Sequence, residues 1–461
     1  MRYVGISEYF HDASIAFIDN NGNIEFASQS ERYSKVKNDP TIHFLLEDMI
    51  AKDDKLIWYE DPDKRSAYTN IENYNKKIVE ARYNNLDFYD HHISHSANSF
   101  YTRPWQSADD TVIMNIDGHG EYQSCTIYDS KFNLLHEKVY PNSVGVVYAK
   151  ITKLLGFKPL EEEYIVMGMA AYGEPIDLNI FERYINYDGG LLELNTEILK
   201  KMDRGDLAAT VQAWAEKEII AWAKLARQYG SKLCYAGGVA QNIVANTLIH
   251  ELFDEVWIPS NPGDGGSALG AAALGYCKDN NIDRINWIDA YLGLDVGNNL
   301  NPKEIAEWLC SENSMCGVVS GRTEFGPRAL GNRSLLADPR QNIKDTVNTV
   351  KQRQKFRPFA PAILEEYAKD YFDGPMNEYM QYTSKAKHDY SSVTHVDGSA
   401  RVQIVKANCK SILRPILEEF YDKTGVPMLL NTSLNIKGRP ICNDIYEAIA
   451  FNVKHGVKVF K

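Results

Sequence analysis

Tyr3-Val4-Gly5-Ile6, a polar turn through His11-Asp12, Ala13 to Ile18, Asp19-Asn20-Asn21-Gly22-Asn23 and Ile24 to Ser28 open the chain. Short apolar runs separated by turn residues predict strand, turn, strand, tight hairpin, strand, with the Asn-Gly pair marking the second turn. The same grammar returns as Val112-Ile113-Met114-Asn115-Ile116, a turn through Asp117-Gly118-His119-Gly120, Ser124 to Tyr128, Asp129-Ser130-Lys131 and Leu134-Leu135. An approximate duplication follows. Each first turn carries an Asp among small residues. Two such meanders predict paired α/β halves that hold a nucleotide phosphate between their turns: tight turns aim backbone N–H groups at phosphate oxygens, and an Asp can hold a phosphate-bound metal. Either meander alone would read as a surface hairpin.

A third element continues the pattern. Lys232 to Ala236 predicts a buried strand, and Gly237-Gly238-Val239-Ala240-Gln241-Asn242 the opening of a helix where backbone can approach an adenosine closely. Asn261-Pro262-Gly263-Asp264-Gly265-Gly266-Ser267 is then a glycine-rich loop before an Ala-rich helix from Ala268 to Tyr276, which sets Asp264 just ahead of a helix N-terminus. This order of elements resembles the actin-like ATPase superfamily over residues 1 to 300. Leu292–Pro302, rich in Gly and Asn, reads as a boundary. A second α/β domain, 301–461, would begin with a helix over Lys303–Cys310 and a strand at Gly317-Val318-Val319.

Composition bounds the partners. The 461 residues are 44% hydrophobic and 24% charged, enough for two domains. With 50 Lys+Arg against 62 Asp+Glu the net charge is −12, which excludes a chain-wide basic surface for polyanions. Any anion site must therefore be local. No run approaches the ~18 apolar residues of a membrane span, and Met1 to Phe17 carries Glu8, His11 and Asp12 where a signal peptide would be apolar, so a cytoplasmic protein is expected. The seven cysteines form no C-x-x-C pair, which speaks against a zinc ribbon or a disulfide framework.

Three constellations carry chemistry. Asp90-His91-His92-Ile93-Ser94-His95 holds three of the chain's 11 histidines. On a helix starting at or before His91, His91 and His95 share a face and can bind one divalent metal, with Asp117 and Asp264 as the candidate acidic partners. The same spacing also serves as a capping feature. Between Arg322 and Arg357 lie nine basic residues and three acidic ones, interleaved with Gly326-Pro327, Gly331 and Pro339. Guanidinium groups on stiff backbone predict an anion pocket rather than a solvated helix face. Near the C-terminus, Asn431-Thr432-Ser433-Leu434-Asn435 follows a buried strand and suits recognition of a small planar group such as a carbamate or urea, or equally an Asx-rich turn.

Taken together, Gly321 to Ser334, Ala337-Asp338-Pro339-Arg340, Lys355 to Pro361 and the Asn431–Asn435 run closely resemble the O-carbamoyltransferases of the nodulation and cephamycin type. Phe10-His11-Asp12-Ala13-Ser14, Glu31-Arg32-Tyr33-Ser34, His91 to His95, Asp117 to Glu121, Met167 to Gly173 and Pro262 to Gly270 match in order. The resemblance implies an actin-like N-terminal domain with duplicated ribonuclease H-like halves and a YrdC-like C-terminal domain. It implies that the second domain combines carbamoyl phosphate with ATP to give carbamoyl-adenylate and pyrophosphate, through Arg322, Arg328, Arg333, Lys351, Arg353, Arg357, Asn431, Ser433 and Asn435. The first domain would pass the carbamoyl group to an acceptor hydroxyl beside a metal on His91, His95, Asp117 and Asp264. Nucleotide contacts would come from Gly118, Gly120, Glu121, Gly237, Gly238 and Asn242. The family is associated with Fe2+ at this position and with Mg2+ for ATP. His11 is the expected base with Asp12 orienting it, and Lys37 a further phosphate or carbamoyl contact.

The chain departs from the family in its short Glu174 to Asp206 connection, in Leu434 for Phe, and in Lys35-Val36-Lys37-Asn38 for a more basic run. The expected acceptor is a sugar or natural-product alcohol, or the hydroxymethyl of a modified pyrimidine in a nucleotide or viral DNA. A non-catalytic actin-like nucleotide switch would need neither the histidines nor the arginine block, and a tRNA threonylcarbamoyl-type transferase would lack that block.

Overall fold

The computed structural model describes residues 1–69, 74–83, 86–181, 185–188, 191–194, 196–311 and 315–461. They form two units, Met1–Ser30 with Asn38–Ile288, and Glu31–Lys37 with Asp289–Lys461. The division falls ahead of the Leu292–Pro302 stretch that composition marks. Segment Glu31–Lys37 belongs with the second unit, which no local signal announces.

In the first unit the duplication is explicit. One five-stranded sheet contains β1 (Tyr3–Ser7), β2 (Ser14–Ile18), β3 (Ile24–Gln29), β4 (Lys55–Trp58) and β5 (Leu86–Phe88), in the order β3-β2-β1-β4-β5. The first three are antiparallel neighbours, and β4 and β5 add parallel to β1. The other sheet repeats this with β6 (Thr111–Gly120), β7 (Gln123–Asp129), β8 (Leu134–Val139) and strands Lys232–Ala236 and Glu255–Trp257, in the corresponding order. This is the duplicated ribonuclease H-like arrangement of the actin-like ATPase class.

In each half a helix follows the fifth strand: His91–Tyr101 in the first, Asp264–Asn280 in the second. They pack face to face at a close approach that glycine permits, since a Cβ on Gly270 would lie 1.9 Å from the Ser94 carbonyl oxygen. Both helix starts therefore come to one place, which positions the site described below.

Three expectations need correction. Asp117–Gly120 is not a free turn but an irregular extension of β6, with a register shift between Ile116 and Gly120. Such irregularities re-aim side chains. The second helix begins at Asp264 rather than Ala268. Gly237-Gly238 opens a single tight turn, Gly238–Gln241, and Asn242 then caps the helix Ile243–His250.

The second unit is built on a six-stranded mixed sheet in the order Gln403–Val405, Ala360–Leu364, Met428–Ser433, Arg333–Ala337, Met315–Val319, Val459–Phe460. Alternation along its strands fills two cores. Val318, Leu336 and Leu429 join Ile305, Leu417 and Phe420 on one face, while Val319, Leu335 and Leu430 join Ile343 and Val347 on the other. The seven cysteines are free thiols. Among the described residues no helix is long and apolar enough to cross a membrane.

Candidate functional site

The helix starting at His91 sets His91 and His95 one turn apart, both buried to 1% exposure or less. Their Nε2 atoms meet at 3.0 Å. Asp117 Oδ2 lies 3.2 Å from His91 Nε2, and Asp264 Oδ1 lies 3.2 Å from His95 Nε2. One ligand atom from each of the four residues falls within 4.8 Å of the others. The outward Nδ1 atoms have their own neighbours: Glu60 Oε2 stands 3.4 Å from that of His91 and Ser267 Oγ 3.3 Å from that of His95. Two imidazole nitrogens and two carboxylates thus converge in a buried space. That donor set fits a divalent cation.

Electrostatics agree with this convergence. Burial opposes charge on every group, yet the neighbouring His91 and His95 imidazoles hold the Asp117 carboxyl well below the usual carboxylate range. Against the same burial, the charges of His11 and His91 lower Asp264. Burial likewise opposes protonation of His91, but the nearby carboxylates, Asp264 first and then Asp117 and Glu60, raise its proton affinity well above normal.

His11 is at the edge of this cluster. Its Nδ1 lies 3.0 Å from Asp12 Oδ2 and its Nε2 3.4 Å from Asp264 Oδ2. Burial disfavours its charge, but Asp264 and Asp12 raise it to about 9. Asp12 adopts φ 54°, an uncommon conformation for a non-glycine residue and one found at functional turns.

Glu60 is a site residue that the sequence reading missed. Fully buried, it accepts a 2.7 Å hydrogen bond from Tyr74 Oη, which accepts in turn from Trp58 Nε1 at 3.0 Å. The available signal was a carboxylate ending the apolar run Leu56-Ile57-Trp58-Tyr59.

The residues read as nucleotide contacts divide. The Gly238 N–H donates to Asp117 Oδ1 at 3.0 Å, so this turn steadies one of the four converging side chains. Gly118 has open space above its Cα, Gly120 abuts the His91 ring, and Gly237 abuts the Ile116 carbonyl. Asn242 caps its helix and pairs with Gln212. Glu121 is turned inward: its Oε1 accepts from the N–H groups of Asp61 (2.6 Å) and His91 (3.3 Å), and burial followed by the nearby Asp90 charge pushes it up to about 7. It anchors the start of the histidine helix. Lys37 lies in the second unit, 2.9 Å from Glu31 Oε2.

Within that second unit the basic block also divides. Arg333 is fully buried and donates to the carbonyl oxygens of Asn443, Ser320, Asn332, Leu294 and Gly321 at 2.7–3.2 Å. All its donor directions are engaged by backbone, which corrects its reading as an anion ligand. Arg322 reaches the Leu292 and Gly293 carbonyls, and Arg340 pairs with Asp338 at 2.6 Å. Lys351 donates to the Ser433 carbonyl and to Asn435 Oδ1 (2.9 Å), tying down the end of the strand Met428–Ser433, which runs through Asn431 and Thr432 rather than stopping before them as the sequence suggested. Asn431 donates to Gln403 Oε1 at 2.6 Å.

Around Arg401 the charges of three further arginines converge, of which Arg353 also donates to Asn348 Oδ1 at 2.6 Å. Burial lowers the proton affinity of Arg401 far below its usual range, and Arg328, Arg353 and Arg357 lower it further. Burial, Arg353 and Arg357 depress Lys351 in the same way. Arg401 Nε has no hydrogen-bond partner among the described residues. These four arginines are partly exposed, and an anion bound among them would offset their mutual repulsion. Arg401 lies far beyond the basic block in sequence, between the short strands Ser399–Ala400 and Gln403–Val405, and sequence reasoning missed it.

Residues 64–190 and 187–273 match the family described as Carbamoyltransferase N-terminus, and residues 306–460 match Carbamoyltransferase C-terminus. Nodulation protein NolO of Bradyrhizobium diazoefficiens is 31% identical over 78% of this chain and 75% of its own length. The uncharacterized protein MJ1051 of Methanocaldococcus jannaschii is 30% identical over 94% of this chain and 93% of its own. Among solved structures, the activator of the 2-hydroxyisocaproyl-CoA dehydratase from Clostridium difficile with bound ADPNP aligns with 62% of this chain and 100% of its own at 13% identity and a TM-score of 0.38.

Proposed function

The chain belongs to the carbamoyltransferase family, and on that premise we propose that it is an ATP-dependent O-carbamoyltransferase working through carbamoyl-adenylate. In the second unit, water cleaves carbamoyl phosphate to carbamate and phosphate. A carbamate oxygen then attacks the α-phosphorus of ATP, supplied as its magnesium complex, and pyrophosphate leaves. In the first unit an acceptor hydroxyl attacks the carbamoyl carbon, its proton is removed, and AMP leaves. The observation that carries this reading is that each unit holds its own charge cluster, four converging metal-type ligands in one and opposed guanidinium groups in the other.

Each cluster suits its step. Arg328, Arg353, Arg357 and Arg401 offset the mutual repulsion of carbamoyl phosphate and ATP. A divalent cation on His91, His95, Asp117 and Asp264 supplies Lewis-acid polarisation of the carbamoyl carbonyl. His11, between Asp12 and Asp264, holds and moves a proton at Nε2. Gly118, with open space above its Cα, leaves room for the adenylate phosphate. The acceptor is a sugar or natural-product alcohol, or the hydroxymethyl of a modified pyrimidine.

The test is to incubate metal-loaded protein with ATP, carbamoyl phosphate and magnesium and to follow pyrophosphate, then to screen alcohols, nucleosides and hydroxymethylated DNA by mass spectrometry for the gain of one carbamoyl group. Silence in the acceptor-free reaction contradicts the reading. So does release of pyrophosphate with no carbamoyl gain on any hydroxyl.

A further inference from the structure

Arg32 lies on the short helical turn Glu31–Ser34 within the second unit and is 1% exposed. Its NH1 sits 3.2 Å from Glu31 Oε1, and its NH2 donates to the Gly326 carbonyl at 2.7 Å. Glu31 is itself buried and is held from the other side by the Lys37 ammonium at 2.9 Å. Gly326 is where the loop carrying Arg328 begins. The far end of that loop is fixed by Glu324, whose Oε1 accepts from the N–H groups of Leu330 (2.8 Å), Asn332 (2.8 Å) and Arg333 (3.2 Å).

The loop is therefore pinned at its end by a carboxylate collecting N–H groups and at its start by a guanidinium holding one carbonyl. Gly326 has φ 136°, a conformation that side chains rarely adopt, so its carbonyl direction is not set by ordinary strand or helix geometry. A buried guanidinium costs stability unless its donors are engaged, and here one of them is engaged by the carbonyl two residues before Arg328. We propose that Arg32 is a positioning residue for the anion site: by fixing the Gly326 carbonyl it sets the direction in which Arg328 leaves the backbone, and so the affinity for phosphoanhydride and acyl-phosphate anions. The proposal rests on reading Arg328 and its neighbours as that site.

The experiment measures pyrophosphate binding by calorimetry to the full-length protein and to Arg32→Ala, Arg32→Lys and Arg328→Ala, with the bound metal content recorded alongside. Misplacing one ligand by about an ångström predicts an affinity loss of about tenfold to a hundredfold in Arg32→Ala, with metal content unchanged. Millimolar guanidinium ion should restore that loss, which a merely unfolded variant would not permit. Affinity within twofold of the wild type overturns the proposal, as does a loss that guanidinium ion leaves in place. If Arg32→Ala does not fold, folded Arg32→Lys carries the test: weakened binding supports the proposal and wild-type affinity overturns it. Undiminished binding by Arg328→Ala overturns the reading of the cluster together with the proposal, whereas undiminished binding by Arg32→Ala alone overturns only the proposal.

Discussion

Arg333 and Arg401 show opposite uses of one side chain. Arg333 is surrounded by backbone carbonyls that need its donors, so its removal leaves several buried acceptors unpaired. Arg333→Met should destabilise the protein by about 3 kcal/mol or more in chemical denaturation. Arg401 has the charges of Arg328, Arg353 and Arg357 near it and an Nε without a hydrogen-bond partner among the described residues, an arrangement that a bound anion would relieve. Arg401→Ala should keep or raise the melting temperature while abolishing acceptor-free pyrophosphate release, the trade expected where a site stores electrostatic strain. In the first unit, a Cβ on Gly238 would lie 2.8 Å from Asp117 Oδ1, so Gly238→Ala should weaken metal affinity about tenfold to a hundredfold by titration, as changes behind a ligand do. The convergence of His91, His95, Asp117 and Asp264 was legible because each sits in a short distinctive run, His91 to His95, Asp117 to Gly120 and Asn261 to Ser267. Arg333 and Glu121 were misread because their inward partners come from distant segments, and Arg401 and Glu60 were overlooked because neither has a local motif.

Hairpins were the most legible elements, since alternation and turn residues act over a few positions, and both meanders fold where the apolar runs place them. The elements that converge on the site were less so. The close approach of the two helices that start at His91 and Asp264 depends on Gly270, which lies against the Ser94 carbonyl. Gly270→Val should therefore cost stability, about 1–3 kcal/mol by overpacking, and should also lower metal affinity, because parting these helices separates His91 and His95 from Asp264. Thermal unfolding and metal titration of one variant check both effects. Loss of stability with undiminished metal affinity would show that the helix starts are held independently of the crossing.

For the whole molecule, one chain holds a carboxylate–imidazole cluster in one unit and a guanidinium cluster in the other, and the account assigns each a separate step. The division into units was visible only approximately in the sequence, because the Glu31–Lys37 segment takes its place through tertiary hydrogen bonds. The decisive measurement is pyrophosphate release from ATP and carbamoyl phosphate without acceptor, compared among wild type, His91→Ala and Arg401→Ala. The account predicts release by wild type and His91→Ala and a fall of about a hundredfold or more in Arg401→Ala, with carbamoyl transfer lost in both variants. Release that persists in Arg401→Ala, or that vanishes in folded His91→Ala, would contradict it.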